Sequence, residues 1–157
     1  MALFSHIVCC SDFSPQAETA LEAATEQARR DGARLTLLHV VLPGAPLLPG
    51  DKPHAADRLP DQEIVHRLTT YMRERYGQCL QGLDWRPVLR RGHPSEEILA
   101  QLQESNADLV VLGSQGLSGM GLVLLGSVAE RVSRRAPCTC LIIRRAASRG
   151  PGAPGGA

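Results

Sequence analysis

Lysine is almost missing from this chain. Lys52 is the only one, and the rest of the 17 basic residues are arginine, against 16 acids and a net charge of +1. A balance so close to neutral gives no bulk attraction to nucleic acid or to an acidic membrane, and neither is expected as a partner. No apolar run approaches the ~20 residues of a membrane span. No basic segment followed by an apolar one opens the chain, so the expected setting is reducing and cytoplasmic. The five cysteines (Cys9, Cys10, Cys79, Cys138 and Cys140) are odd in number, and none has C-x-x-C spacing. Four of them fall in or beside expected strands, where a free thiol serves as a small apolar group, and no metal site is expected. The histidines at 6, 39, 54, 66 and 93 are scattered, with no metal-binding pair on any helix. His39 sits inside an apolar run and reads as a core residue with satisfied ring nitrogens. No nucleophile–base pair is visible. GLVLLGS (121–127) imitates the glycine spacing of a Walker A loop but lacks the lysine that reaches the β- and γ-phosphates. No catalytic residue is therefore assigned.

What the chain does have is alternation. Its 157 residues suit one domain able to bury a core without staples. LFSHIVCC (3–10) reads as a first strand. Ser14-Pro15 opens a helix, Ser as N-cap and Pro at the first position, and Asp31-Gly32 closes it. Residues 35–42 form a near-continuous apolar second strand, of the kind found in parallel sheets covered on both faces. Residues 43–60, rich in Pro, Gly and Ala, read as a long loop. Residues 61–80 read as helix two, with Ile64, Val65, Leu68, Tyr71, Met72 and Tyr76 on one face. Residues 83–90 read as a third strand, placed at an edge by Pro87. Pro94 opens helix three, 108–112 is strand four, 127–135 helix four and 138–143 strand five. Such alternation gives an open parallel sheet with helices on both faces. GPGAPGGA cannot bury anything and reads as a disordered tail (146–157) after a domain spanning 1–145.

The chemistry gathers between strand four and helix four. Gly113 to Gly126 is a loop holding five glycines, at 113, 116, 119, 121 and 126. Glycines let a backbone approach an anion closely, and the first N–H groups of a helix have no intrahelical partners. A flexible surface loop is the plain alternative. The spacing Gly113-x2-Gly116-x9-Gly126-Ser127 resembles the ATP-binding signature of the universal stress protein family. SDFSPQAETAL (11–21), LTLLHVV (35–41), RGHPSEEIL (91–99) and GSVAERVSRRAPCTCLIIR (126–144) resemble further stretches of that family, in the same order.

The resemblance implies a five-stranded sheet of order 3-2-1-4-5, an adenine nucleotide alpha hydrolase-like fold. The strand order reverses between strands one and four, so ends distant in sequence, SDFS and GSQG, should meet at one crevice. Carried over by position, Asp12 lies at the adenine and ribose with Ser11 in the same binding set, the backbone of Val40 meets the adenine edge, and Gly113 lies against the ribose. Gly116, Gly126, Ser127 and Val128 cradle phosphates. Ser127 is equally placed as an N-cap, and Asp12 as a cap of the first helix turn or a holder of the local loop. The implied ligand is ATP, with AMP or ADP as alternatives and Mg2+ beside it. The implied assembly is a homodimer through the last strand, Cys138 to Ile143, and an apolar strand at a sheet edge needs such cover. The implied function is a dimeric stress-response sensor or regulator. Two alternatives stay open: a dimer without nucleotide that acts by protein contacts, and a slow ATPase or nucleotidyl-transferase-like enzyme. The spacer LSGMGLVLL (117–125) carries no charge, whereas ATP-binding members often carry Arg or Lys there.

Overall fold

Residues 1–115 and 125–144 are described in the computed structural model. Gly116, most of the uncharged spacer and the glycine-rich tail lie outside the described residues. Five strands, β1 (His6–Cys10), β2 (Arg34–Val41), β3 (Trp85–Arg91), β4 (Leu109–Gly113) and β5 (Thr139–Ile143), form one parallel sheet in the order β3-β2-β1-β4-β5. Helices α1 (Pro15–Asp31), α2 (Asp61–Tyr76), α3 (Pro94–Ser105) and α4 (Ser127–Arg135) connect them. The strand order is the one that the family resemblance implies.

Local chemistry explains the elements. Ser14 has extended backbone and accepts from the Ala17 N–H at 3.2 Å, and Pro15 follows at the first helical position. Such a cap contributes about 0.5–2 kcal/mol. Gly32 ends α1 at φ 65°, its N–H bonded to the Ala28 carbonyl, a conformation that glycine adopts without a Cβ penalty. The small residues Ala17, Ala20, Ala24 and Ala28 are buried and let α1 lie close on β1 and β4. Two apolar layers result. Ile7, Cys9, Leu35, Leu37, Leu109 and Val111 pack under α1 and α2, and Val8, Leu38, Val110 and Leu112 pack under α3 and α4. Such near-continuous apolar strands are what a sheet covered on both faces demands. Pro87 lies in β3, which among the described residues pairs only with β2 and so forms one edge.

Several boundaries differ from expectation. β1 starts at His6 instead of residue 3, because Leu3 is exposed and the Ser5 backbone N–H and hydroxyl donate to Asp108 Oδ2 at 2.9 and 2.7 Å. That use of its carboxylate also leaves Asp108 outside β4. α2 ends at Tyr76, four residues early, where the Gly77 N–H caps onto the Arg73 carbonyl. Val65 points away from the core at 50% exposure, although periodicity placed it on the apolar face. The 43–60 loop is fastened down: Leu47 and Ala56 are buried, a 3-10 turn forms over Ala56–Arg58, and Asp57 accepts from the Gly44 N–H.

Candidate functional site

At the carboxyl end of the sheet, β1 has α1 leading it to β2 on one side, while β4 lies on its other side. The crevice between the ends of β1 and β4 is where such sheets hold ligands. The Ser11 N–H continues the ladder to the Leu38 carbonyl at 2.8 Å. The chain then turns sharply. The Phe13 N–H donates to Ser11 Oγ at 3.1 Å, and the Ser14 N–H donates to Asp12 Oδ1 at 3.0 Å. Asp12 thus holds the local loop, one of the roles expected of it, while Ser14 takes the cap of α1.

Phe13 sits at φ 64°, the left-handed region that costs a residue with a Cβ about 1–2 kcal/mol. The surroundings offset that strain. Its ring stacks on His39 with centroids 4.3 Å apart and meets Tyr71 edge-on at 5.0 Å. His39 in turn places Nδ1 2.7 Å from the Ser11 carbonyl. Burial, set against the Ser11 contact and the nearby Asp12 charge, lowers the His39 pKa from its ordinary 6.5. Neutral His39 therefore donates Nδ1–H to the Ser11 carbonyl, and the turn carrying Ser11 and Asp12 is locked from beneath. His39 is half-buried at the edge of the core, with Nδ1 satisfied by Ser11, close to the satisfied core residue expected from its place in an apolar run.

β4 ends at Gly113, half-buried. A Cβ there would lie 3.2 Å from the carbonyl carbon, Cβ and carbonyl oxygen of Gln16, in the first turn of α1. The glycine thus lets the end of β4 press against the helix that follows Asp12. Beyond it, the Ser114 N–H donates to the Ile143 carbonyl at 2.9 Å, and the Ser114 carbonyl accepts from the Gly126 N–H at 2.6 Å. The two ends of the glycine-rich loop are pinned together. Gly126, with extended backbone, is the N-cap of α4, so Ser127 is its first helical residue. The N-cap role expected for Ser127 is corrected accordingly: Gly126 takes it, without a side-chain bond. The N–H groups of Ser127 and Val128 open the helix, where no intrahelical acceptor exists. Val40, next to last in β2, is half-buried and packs its side chain into the second core.

The structure therefore brings Ser11, Asp12 and Gly113 to one crevice and sets Gly126, Ser127 and Val128 at its rim. Phe13, His39 and Ser114 were missed as site residues by sequence reasoning. His39 carried a faint signal, a polar residue at an apolar strand position. Phe13 carried none, because glycine or asparagine is the usual residue at positive φ. Among the described residues no group of three or more His, Cys, Asp and Glu could hold a metal, and no helix is long and apolar enough to cross a membrane. A cavity of about 540 Å³ lies elsewhere, between α1 and α2, where Glu18, Leu21, Glu22, Arg29, Arg75 and Tyr76 line it. Its inner wall is formed by the buried Leu21 and Tyr76, and Tyr76 approaches Ser11 of the crevice from that side.

The locked turn has a pH signature. His6, buried with Nε2 2.9 Å from Thr36 Oγ1, also has a pKa lowered from 6.5, by burial first and then by the Arg34 charge. Both imidazoles favour the neutral form when folded, so their contribution is full above pH 6.5 and is lost as pH falls below it. Asp31, Asp57 and Asp108 are lowered from 3.8 and keep their contribution through that range. The urea midpoint should hold steady between about pH 8 and pH 7 and fall between about pH 6.5 and pH 5. A midpoint that rises on acidification over the lower window contradicts this account of the two histidines.

A parallel order-3-2-1-4-5 sheet with a crevice at its switch point defines a doubly wound α/β protein. The profile of the Universal stress protein family matches residues 3–144, and the chain belongs to that family. A universal stress protein encoded in the QAH/OAS sulfhydrylase 3' region of Thermus aquaticus is 30% identical over 144 residues, covering 90% of this chain and all of the relative. Among solved structures, universal stress protein UspA from Lactobacillus plantarum is 26% identical, with a TM-score of 0.72, covering 92% of this chain and all of its own. A universal stress protein solved in complex with cAMP is also 26% identical, with a TM-score of 0.66, covering 90% of this chain and 98% of its own.

Proposed function

We propose that this universal stress protein binds an adenine nucleotide in the crevice between β1 and β4 and acts as a cytoplasmic stress-response sensor or regulator. The observation that carries the reading is the convergence of the locked Ser11–Asp12 turn, Gly113 and the start of α4 on one crevice. The family relative solved with cAMP supports an adenine nucleotide as the class of ligand. ATP is the ligand we favour, with ADP or AMP as alternatives and Mg2+ accompanying the phosphates. The donors suit an anion: the opening N–H groups of α4 at Ser127 and Val128, with the exposed Ser127 side chain beside them. Because the Gly126 N–H is engaged by Ser114, phosphate binding falls to Ser127 and Val128. We assign no catalytic residue. Denaturing the purified protein and separating any released nucleotide by chromatography, together with ATP titration with and without Mg2+, tests the reading. Adenine nucleotide released or titratable supports it; absence from both experiments contradicts it.

That same Gly126–Ser114 bond favours a second reading, a family member that holds no nucleotide and works through protein contacts. Both readings include a homodimer through β5. Among the described residues β5 pairs only with β4 and its other edge has no strand, and Leu141 is exposed while Ile142 packs into the second core. An apolar open edge is a template for a second strand. Leu141→Asp is therefore a cleaner probe than a change at Ile142, which would disturb the core as well. It should halve the mass seen in sedimentation while leaving the melting temperature of the subunit nearly unchanged. A mass that does not alter removes β5 from the interface.

A further inference from the structure

The expected site has a chemical gap: residues 117–125 carry no charge, while a polyphosphate calls for cations as well as N–H groups. We propose that Arg144, at the end of β5, supplies the missing cation, so that the site prefers a nucleotide with a free di- or triphosphate over the bare nucleoside. The proposal rests on the nucleotide reading above and adds the residue that sets its phosphate preference.

Backbone register puts Arg144 there. Gly113 of β4 stands opposite Ile143 of β5. The Ile143 carbonyl accepts from the Ser114 N–H, and the Ser114 carbonyl accepts from the Gly126 N–H. Two successive hydrogen bonds therefore connect the residue before Arg144 to the N-cap of α4. At about 4.8 Å for each backbone-to-backbone step, the two segments are about 10 Å apart, a gap that an extended arginine and a phosphate together fill. Alternation along β5 agrees. Cys140 and Ile142 pack in the layer that also holds Ala129 and Val132 of α4, whereas Ile143 packs in the other layer. The next position, Arg144, returns to the side of α4.

Arg144 is also chemically available. It is exposed, and it makes no hydrogen bond or ion pair with any described residue. Among the described residues, three other arginines toward this end of the sheet are engaged. Arg90 pairs with Glu97 and Glu104, Arg91 with Asp57 and Asp61, and Arg131 with Glu96. A planar guanidinium without a partner among the described residues, on the α4 side of the strand end, is suited to bidentate phosphate binding.

The test compares the full-length wild-type protein with Arg144→Gln and Arg144→Lys, titrated by calorimetry with adenosine, AMP, ADP and ATP. Arg144→Gln should weaken ATP and ADP about tenfold and leave adenosine unchanged, and Arg144→Lys should restore part of the loss. The melting temperature should be the same for all three proteins. Equal loss for adenosine and ATP, or no loss for either, overturns the role of Arg144 while leaving the nucleotide site intact. A wild-type protein that binds none of the four ligands overturns the nucleotide reading and the assignment of Arg144 with it.

Discussion

Phe13→Gly should give a more stable protein than Phe13→Ala, although both should be much less stable than the wild type. Removing the ring takes away the stack on His39 and the edge contact with Tyr71 from a residue only 9% exposed. Truncations of buried aromatics cost about 3–5 kcal/mol, a loss of about 6–20 °C in melting temperature for a chain of this size. The two variants then separate by backbone energetics. Alanine keeps the penalty for a Cβ at φ 64°, whereas glycine releases about 1–2 kcal/mol of it and gives back about 0.5–1 kcal/mol in unfolded-chain entropy. Glycine should lead by up to about 1.5 kcal/mol. The opposite order in thermal unfolding would show that the Phe13 backbone is not strained and that the turn is held by other means.

The second large effect is expected from Gly113→Val, which should damage stability and ligand binding together. The added Cβ alone meets three Gln16 atoms at 3.2 Å, two of them backbone. Backbone cannot rotate aside as a side-chain tip can, so β4 and the first turn of α1 must separate. Overpacking of this kind costs about 1–3 kcal/mol. The Asp12 turn leads directly into the displaced helix turn, so a shift there moves Ser11 and Asp12 relative to Ser127 and Val128. Nucleotide affinity should fall at least tenfold, a change of about 1.4 kcal/mol, at temperatures where the variant is still folded. Gly113→Ala, with only the Cβ to place, should show a smaller change in both. Wild-type affinity in a destabilised Gly113→Val protein would separate the packing of Gly113 from the site.

Much of this was legible in the residues. The near-continuous apolar runs at 35–42 and 108–112 marked buried parallel strands, Ser14-Pro15 and Gly32 bracketed α1, and Pro87 marked an edge. These signals are local, and each has a single physical cause. The strand order came from family resemblance, since nothing in the periodicity of an isolated strand says which neighbour it takes. Val65 was misplaced because helical spacing identifies a stripe without fixing its width. Ser127 was expected as an N-cap because its residue type is common there; the pinning of Gly126 by Ser114 moved the cap one position earlier. The Phe13–His39 lock could not be read from sequence, since it depends on a positive φ at an aromatic residue and on a ring stacking across two strand ends.

The central claim is that an adenine nucleotide occupies the crevice between β1 and β4. An NMR titration of isotope-labelled protein with ATP and Mg2+, following the backbone amides, tests both the ligand and its place. The account predicts saturable shifts centred on Ser11, Asp12, Val40, Gly113, Ser127 and Val128, with Gly126 moving little because its N–H already has an acceptor. Saturable shifts confined to Glu18, Glu22, Arg75 and Tyr76 around the groove between α1 and α2, or no saturable shifts at all, would contradict it.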